Sequence, residues 1–282
     1  MNSIYLLMDK LLPFEIFSFT FMKNALIALL LLTPLLALFG TMAVNRRMAF
    51  FSDALGHSAL AGAGIGMLLG VSNLTIILVL FGLLWALLIN RINRSGGASA
   101  DTNISVFSST GIALGLVLLS QNSNFSKYSS LLVGDVLAIN TGDLTWLLLS
   151  LVGGLICWAL IYNPLLLTAV NPQLAQSRGI KTRIVEDVFV CLVAIAVMLS
   201  IRWVGVLLIN ALLILPAAAG RNISKTAPQH ALFSVMISLL SGIIGLIAAF
   251  YLGSSVGAAV VLCAALFYSL SLLLRRILNI AS

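Results

Sequence analysis

The feature that most constrains this chain is a succession of apolar runs, each close to the length that crosses a bilayer. They lie at residues 25–44, 48–70, 72–89, 104–120, 144–162, 188–201, 203–220, 231–252 and 257–274. A helix spans the hydrocarbon core with about 20 apolar residues. Only 8% of the 282 residues are charged and 61% are hydrophobic, whereas soluble domains carry about 25% charged and about 45–50% apolar residues. Too little polar material remains to cover a water-facing surface. That excludes a soluble enzyme, a disordered chain and a nucleic-acid binder. The pattern predicts an all-α, polytopic transmembrane helix bundle of about nine spans, with eight to ten compatible with the runs. No soluble domain is hidden in it, so residues 1–282 form a single transmembrane domain.

The distribution of cations sets the orientation, because Lys and Arg favour the cytoplasmic side. With the first run entering from outside, Arg46, Arg47, Arg91, Arg94, Arg178, Lys181, Arg183, Arg221, Lys225, Arg275 and Arg276 are all cytoplasmic. Only Lys10, Lys23, Lys127 and Arg202 then lie outside. The N-terminus is therefore expected outside and the C-terminus inside. Residues 1–24, which include Lys10, Pro13 and Glu15, read as a segment lying along the membrane surface. Residues 163–187 form the longest polar connection, on the cytoplasmic side. The segment 127–142, apolar but interrupted by Asp135, fits a span, a re-entrant stretch or a surface segment. Pro34 and Pro216 are expected to kink their spans. Cys157, Cys191 and Cys263 are scattered through apolar runs and read as packing residues.

Eight of the nine runs contain no Asp, Glu, Lys, Arg or His. The second contains both Asp53 and His57. An ionisable side chain inside a span is costly and faces a partner or a water-filled path. A separation of four residues puts both on one helical face, where a carboxylate and an imidazole could ligate a divalent cation. The plainer alternative is that Ser52 or Asp53 caps the helix while His57 bonds to it. Beside this face, Ala54, Ser58, Gly62, Gly66 and Gly70 recur every four residues and predict close packing of a second helix. Asp135 reads as a cap or as part of the outer mouth, and His230 as structural. Glu186 and Asp187 are expected to stabilise the start of the following helix. No Gly-rich loop ends in Lys-Ser or Lys-Thr, so any ATPase must be another chain.

The stretch from Arg46 to Gly62, RRMAFFSDALGHSALAG, resembles the signature of the permease subunits of bacterial ABC importers for zinc, manganese or iron, the ABC-3 type metal permeases. Leu132-Val133-Gly134-Asp135-Val136-Leu137 is similar to a Gly-Asp segment midway through that family. Asn171-Pro172-Gln173-Leu174-Ala175 and Ser177-Arg178-Gly179-Ile180 resemble its cytoplasmic coupling segment. Leu215-Pro216-Ala217-Ala218-Ala219-Gly220-Arg221 is similar to a further family stretch. The resemblance runs in order over nearly the whole chain from about Phe21. Two departures stand out: Leu60 and Ala61 are both non-proline where many members have a proline nearby, and a proline common near the last span is absent around Gly253–Val256. Both bear on helix bends and on metal preference.

The resemblance implies a homodimer in the bacterial inner membrane, working with separate ATP-binding cassette ATPase subunits and an extracellular or periplasmic metal-binding protein. It implies no enzymatic activity and no permanently bound cofactor, the divalent metal being cargo. Asp53 and His57 are then the metal residues at the dimer axis, and Asn171, Pro172, Gln173, Leu174, Ala175, Ser177, Arg178 and Gly179 the ATPase-coupling segment, with Gly179 ending a short helix. Zinc ranks first, ahead of manganese and ferrous iron. The alternatives are a gradient-driven carrier or channel using Asp53 and His57 as a proton or metal relay, and an importer of a larger metal chelate. An intramembrane enzyme is disfavoured by so few polar groups.

Overall fold

The computed structural model describes Tyr5, residues 18–71, 73–120 and 134–277. Most of the 1–24 surface segment and the first part of the 127–142 segment lie outside these residues. The described residues form helices joined by turns and short loops, with no strand. The helices are α1 (Thr20–Asn45), α2 (Phe51–Leu68), α3 (Leu74–Ser95), α4 (Ala100–Ser120), α5 (Thr141–Val170), α6 (Pro172–Ser177), α7 (Thr182–Ile223), α8 (Ala227–Leu252) and α9 (Val256–Ile277). A 3-10 turn, Val136–Ala138, precedes α5. Residues 20–24 are thus the first turns of α1, and Lys23 and Asn24 are buried there.

Seven of these helices are long and apolar enough to cross a membrane: α1, α3, α4, α5, α7, α8 and α9. Two differences separate this from the nine expected spans. The first is α2, in which Ser52, Asp53, His57, Ser58 and the glycines dilute the apolar content. The second is α7, where runs six and seven form one 42-residue element. At about 1.5 Å per residue a straight helix of that length would measure about 63 Å. Yet Glu186 near its start pairs with Arg46 at the end of α1, and Arg221 near its finish reaches the Val44 carbonyl at the same end. The chain must therefore fold back within α7. It does so at Gly205, whose φ of 76° and ψ of 160° are not helical. The turn is at this glycine and not at Arg202, because a side chain is strained at such a positive φ.

The two arms of α7 form the centre of the bundle, packing against α1, α2, α3, α5, α8 and α9. Lipid tails are as apolar as leucine, so close packing rather than burial from water joins membrane helices. At the α1–α7 contact, a Cβ on Gly40 would fall 1.7 Å from the Leu213 carbonyl oxygen. Only glycine permits that approach. At the turn of α7, Gly134 (φ +68°) lies against the Val204–Gly205 backbone, where an added Cβ would come within 2.3 Å. The Gly134-Asp135 segment thus seats on the turn of α7. Asp135 caps the 3-10 turn by accepting from the Leu137 amide at 3.0 Å.

At the opposite end an ion network joins three helices. Arg46 pairs with Glu186 at 2.6 Å, and Arg94 pairs with Glu186 at 3.0 Å and with Asp187. Asn90 adds a 2.8 Å bond to Asp187. Glu186 and Asp187 lie beyond the first turn of α7, so they bind these cations rather than capping the helix. His230 is 5% exposed and its Nε2 is 2.8 Å from the Ala217 carbonyl, a structural contact between α8 and α7.

Candidate metal site

Asp53 occupies the third position of α2, and neither it nor Ser52 caps the helix. The carboxylate nevertheless lies in the first turn, where free amide groups favour negative charge. One turn later His57 brings Nε2 to 3.3 Å from Asp53 Oδ1. That separation is longer than the 2.7–3.2 Å of most N–H···O bonds. It does match two ligands of one ion: donors about 2.0–2.1 Å from a tetrahedral zinc stand about 3.3 Å apart, while neighbours in an octahedral shell of the same bond length stand about 2.8–3.0 Å apart. The Asp53 side chain is 38% exposed and the His57 side chain 28%, so both are reachable.

Two neutral residues complete the surroundings. Asn210, on the returning arm of α7, donates its amide Nδ2 to Asp53 Oδ1 at 2.7 Å. Ser108 of α4 approaches Asp53 Oδ2 at 3.5 Å, a weak contact. Sequence reasoning missed both, having searched spans only for ionisable groups. A second signal was present, since Asn210 is the one amide side chain within its apolar run. Its carbonyl Oδ1 is buried and finds no partner, an omission that costs about 1–3 kcal/mol.

Close helix approach makes this arrangement possible. Gly56 faces Val206, and a Cβ there would lie 2.5 Å from the valine Cγ1. Asp53 with Asn210 and Gly56 with Val206 are successive contacts of antiparallel helices. Asn210 is eleven residues from Arg221, about 16 Å along a helix, which places Asp53 inside the bundle instead of at its rim.

The small-residue stripe acts partly as expected. Gly62 lies against Phe81 and Gly66 against Ile77, both on α3, while Ser58 meets Gly111 of α4. Ala54 is fully buried. Gly70 does not belong to the stripe. It lies past the helix end at φ +65° with nothing within 4 Å of an added Cβ, so it turns the chain.

Asp53 opens into a cavity of about 530 Å³ that it shares with Asp101, Thr102, Ser105, Ser108 and Ser109 of α4. Two carboxylates and a file of hydroxyls suit a cation. A larger cavity of about 680 Å³ does not, since Arg221, Lys225 and Arg275 line it. Among the described residues no three His, Cys, Asp or Glu side chains converge. The described residues of one chain therefore offer an ion the Asp53–His57 pair and no third donor of those types.

The coupling-segment residues form α6 and its ends. Asn171 caps α6 by accepting from the Leu174 amide at 3.0 Å, and Pro172 takes the first helical position. Ala175 is buried, while Gln173, Leu174, Ser177 and Arg178 are exposed. Gly179 adopts φ +77°, and Ile180 bonds back to the Ala175 carbonyl at 3.0 Å. This left-handed closure ends the helix.

The ABC 3 transport family model matches residues 18–275. The chain belongs to this family. It is 33% identical over 259 residues to the high-affinity zinc uptake system membrane protein ZnuB of Haemophilus influenzae, covering 92% of this chain and 99% of the relative. It is 31% identical over 254 residues to the manganese import system permease protein ScaB of Streptococcus parasanguinis, covering 90% of each. Among solved structures, PsaBC from Streptococcus pneumoniae in complex with Fab superposes with a TM-score of 0.79 at 25% identity, covering 96% of this chain and 95% of that one. This ABC 3 family member is thus a multi-pass permease whose fold and length match its relatives almost end to end.

Proposed function

We propose that this permease conducts divalent metal ions, zinc first and then manganese or ferrous iron, into the cytoplasm of a bacterium. The observation that carries the reading is the Asp53–His57 pair, held at ligand spacing on α2, with Asp53 opening into a cavity that has no cation in its walls. The relatives named for zinc uptake and manganese import support the cargo class.

A single pair is too few ligands for zinc, which takes four. Two-fold symmetry would double it to two carboxylates and two imidazoles around one axis. The surface of α4 supports such a homodimer. Asp101, Thr102, Ser105, Ser109 and Thr110 are exposed on its first half, where a carboxylate is costly against lipid but suited to a second copy or a water-filled path. Alternating access would then move the site between the two faces as the bundle halves rock. The ion must bind briefly at each stage in order to leave.

Energy would come from separate ATPase subunits docking on α6, and cargo from a metal-binding protein on the outer side. The capped, exposed α6 with its outward Leu174 supports that docking. In cells lacking their own zinc and manganese importers, Asp53→Ala and His57→Ala are each expected to abolish zinc uptake while the protein still reaches the membrane. Wild-type uptake by both variants would refute the reading.

A further inference from the structure

The returning arm of α7 presents one polar side chain to the metal pair, and its placement is costly. Asn210 buries an unpartnered carbonyl oxygen in order to aim its amide at Asp53 Oδ1. An apolar residue there would avoid the burial of an unsatisfied oxygen. Packing alone therefore does not account for asparagine at this position. Its amide cannot be reversed without cost either, because Oδ1 would then face a carboxylate oxygen.

The local architecture is consistent with a fixed orientation. The turn at Gly205, seated against Gly134, sets where the returning arm begins. The Gly56–Val206 contact sets how closely it approaches α2. Asn210, one turn beyond Val206, then meets Asp53 at 2.7 Å. The outcome at the carboxylate is asymmetric. Oδ1 is held by the amide and stands 3.3 Å from His57 Nε2, whereas Oδ2 turns toward Ser108 at 3.5 Å. An ion placed between Oδ1 and Nε2 meets one carboxylate oxygen.

We propose that Asn210 is a positioning residue which holds Asp53 in this one-oxygen presentation and so biases the permease toward low-coordinate zinc over manganese. The proposal rests on the metal-permease reading. Zinc accepts four ligands in a tight tetrahedron. Manganese belongs with the ions that take larger oxygen shells, for which a carboxylate free to offer both oxygens is better suited. Removing the amide lets the carboxylate rotate and present both.

The test measures zinc and manganese uptake side by side in cells lacking their own importers, with the permease expressed beside its ATPase and binding protein and its membrane level quantified. The variants are Asn210→Ala, Asn210→Leu and Asn210→Ser, with Asp53→Ala as the control. Loss of a hydrogen bond to a charged group predicts a zinc uptake rate about tenfold lower in Asn210→Ala and Asn210→Leu. Manganese uptake is expected to fall less, moving the zinc-to-manganese ratio at least about threefold toward manganese. Asn210→Ser keeps a hydroxyl donor in a smaller side chain, and is expected to retain a ratio closer to wild type than the alanine variant; it also serves if the leucine variant fails to assemble. Equal losses for both metals, an unchanged ratio or wild-type rates would overturn the proposal. Failure of the permease reading itself looks different, since Asp53→Ala would then transport both metals normally.

Discussion

At the scale of single residues, Asp53 is held from across the bundle, by the Asn210 amide at 2.7 Å from its Oδ1. Asp53 and His57 stand out because ionisable groups are rare inside apolar runs. Asn210 and Ser108 carry no charge, and membrane helices tolerate such residues readily. Moreover, Asn210 meets Asp53 across 157 residues of chain, so no local spacing could connect them. Gly56 was equally silent, reading as one glycine among several until Val206 was found 2.5 Å from its missing Cβ. That contact gives a prediction. Gly56→Val forces α2 and α7 apart, at a cost of about 1–3 kcal/mol for overpacking. The thermal midpoint of the purified protein should fall, and zinc uptake should fall further than the surviving folded fraction accounts for. An unchanged midpoint with full uptake would mean that this approach is not needed.

At the scale of elements, the apolar runs located most helices, and the differences have identifiable causes. Helix α5 continues through Pro164 to Val170, beyond the expected end at residue 162. The residues after the proline are apolar, and Thr168 bonds to the Pro164 carbonyl at 2.8 Å. The short helix α6 was readable from its ends, because Asn171, Pro172 and Gly179 are the residues such ends require. The α7 hairpin was half readable. Two runs separated by Arg202 suggested two passes, but the glycine that turns the chain lies inside the second run. A residue other than glycine at a φ of 76° and ψ of 160° is strained by about 1–3 kcal/mol. Gly205→Ala is therefore expected to lower thermal stability and to cut transport, because the arm that carries Asn210 begins there. Normal melting and normal uptake would show that another residue determines the turn.

At the scale of the whole molecule, composition was the most informative property and burial the least. An 8% charged fraction implied a membrane bundle, but could not show that α2 is too polar to qualify alone as a span. It lies among α3, α4 and α7, which supply the packing its own side chains lack. The charges that do occur are organised by side. Arg46, Arg94, Glu186 and Asp187 tie the ends of α1 and α3 to the start of α7, all on the face expected to be cytoplasmic. The orientation can be tested in a chain whose three cysteines are replaced by alanine. A single cysteine at Ser177 should react with a membrane-impermeant reagent only from the cytoplasmic side, and one at Ser254 only from outside. The opposite pattern would invert the topology and place α6 out of reach of any cytoplasmic ATPase.

In the proposed mechanism Asp53 and His57 handle the ion while the rest of the machine handles energy. The most direct measurement is zinc accumulation and ATP hydrolysis together, in vesicles holding the permease with its ATPase and binding protein. Near-isosteric Asp53→Asn and His57→Gln keep the shape of the site and remove its ligand chemistry. Zinc accumulation should drop at least about a hundredfold, as expected when a paired charged ligand worth roughly 3 kcal/mol or more is lost, while ATP hydrolysis continues. Accumulation at the wild-type rate in both variants, with hydrolysis intact, would contradict it.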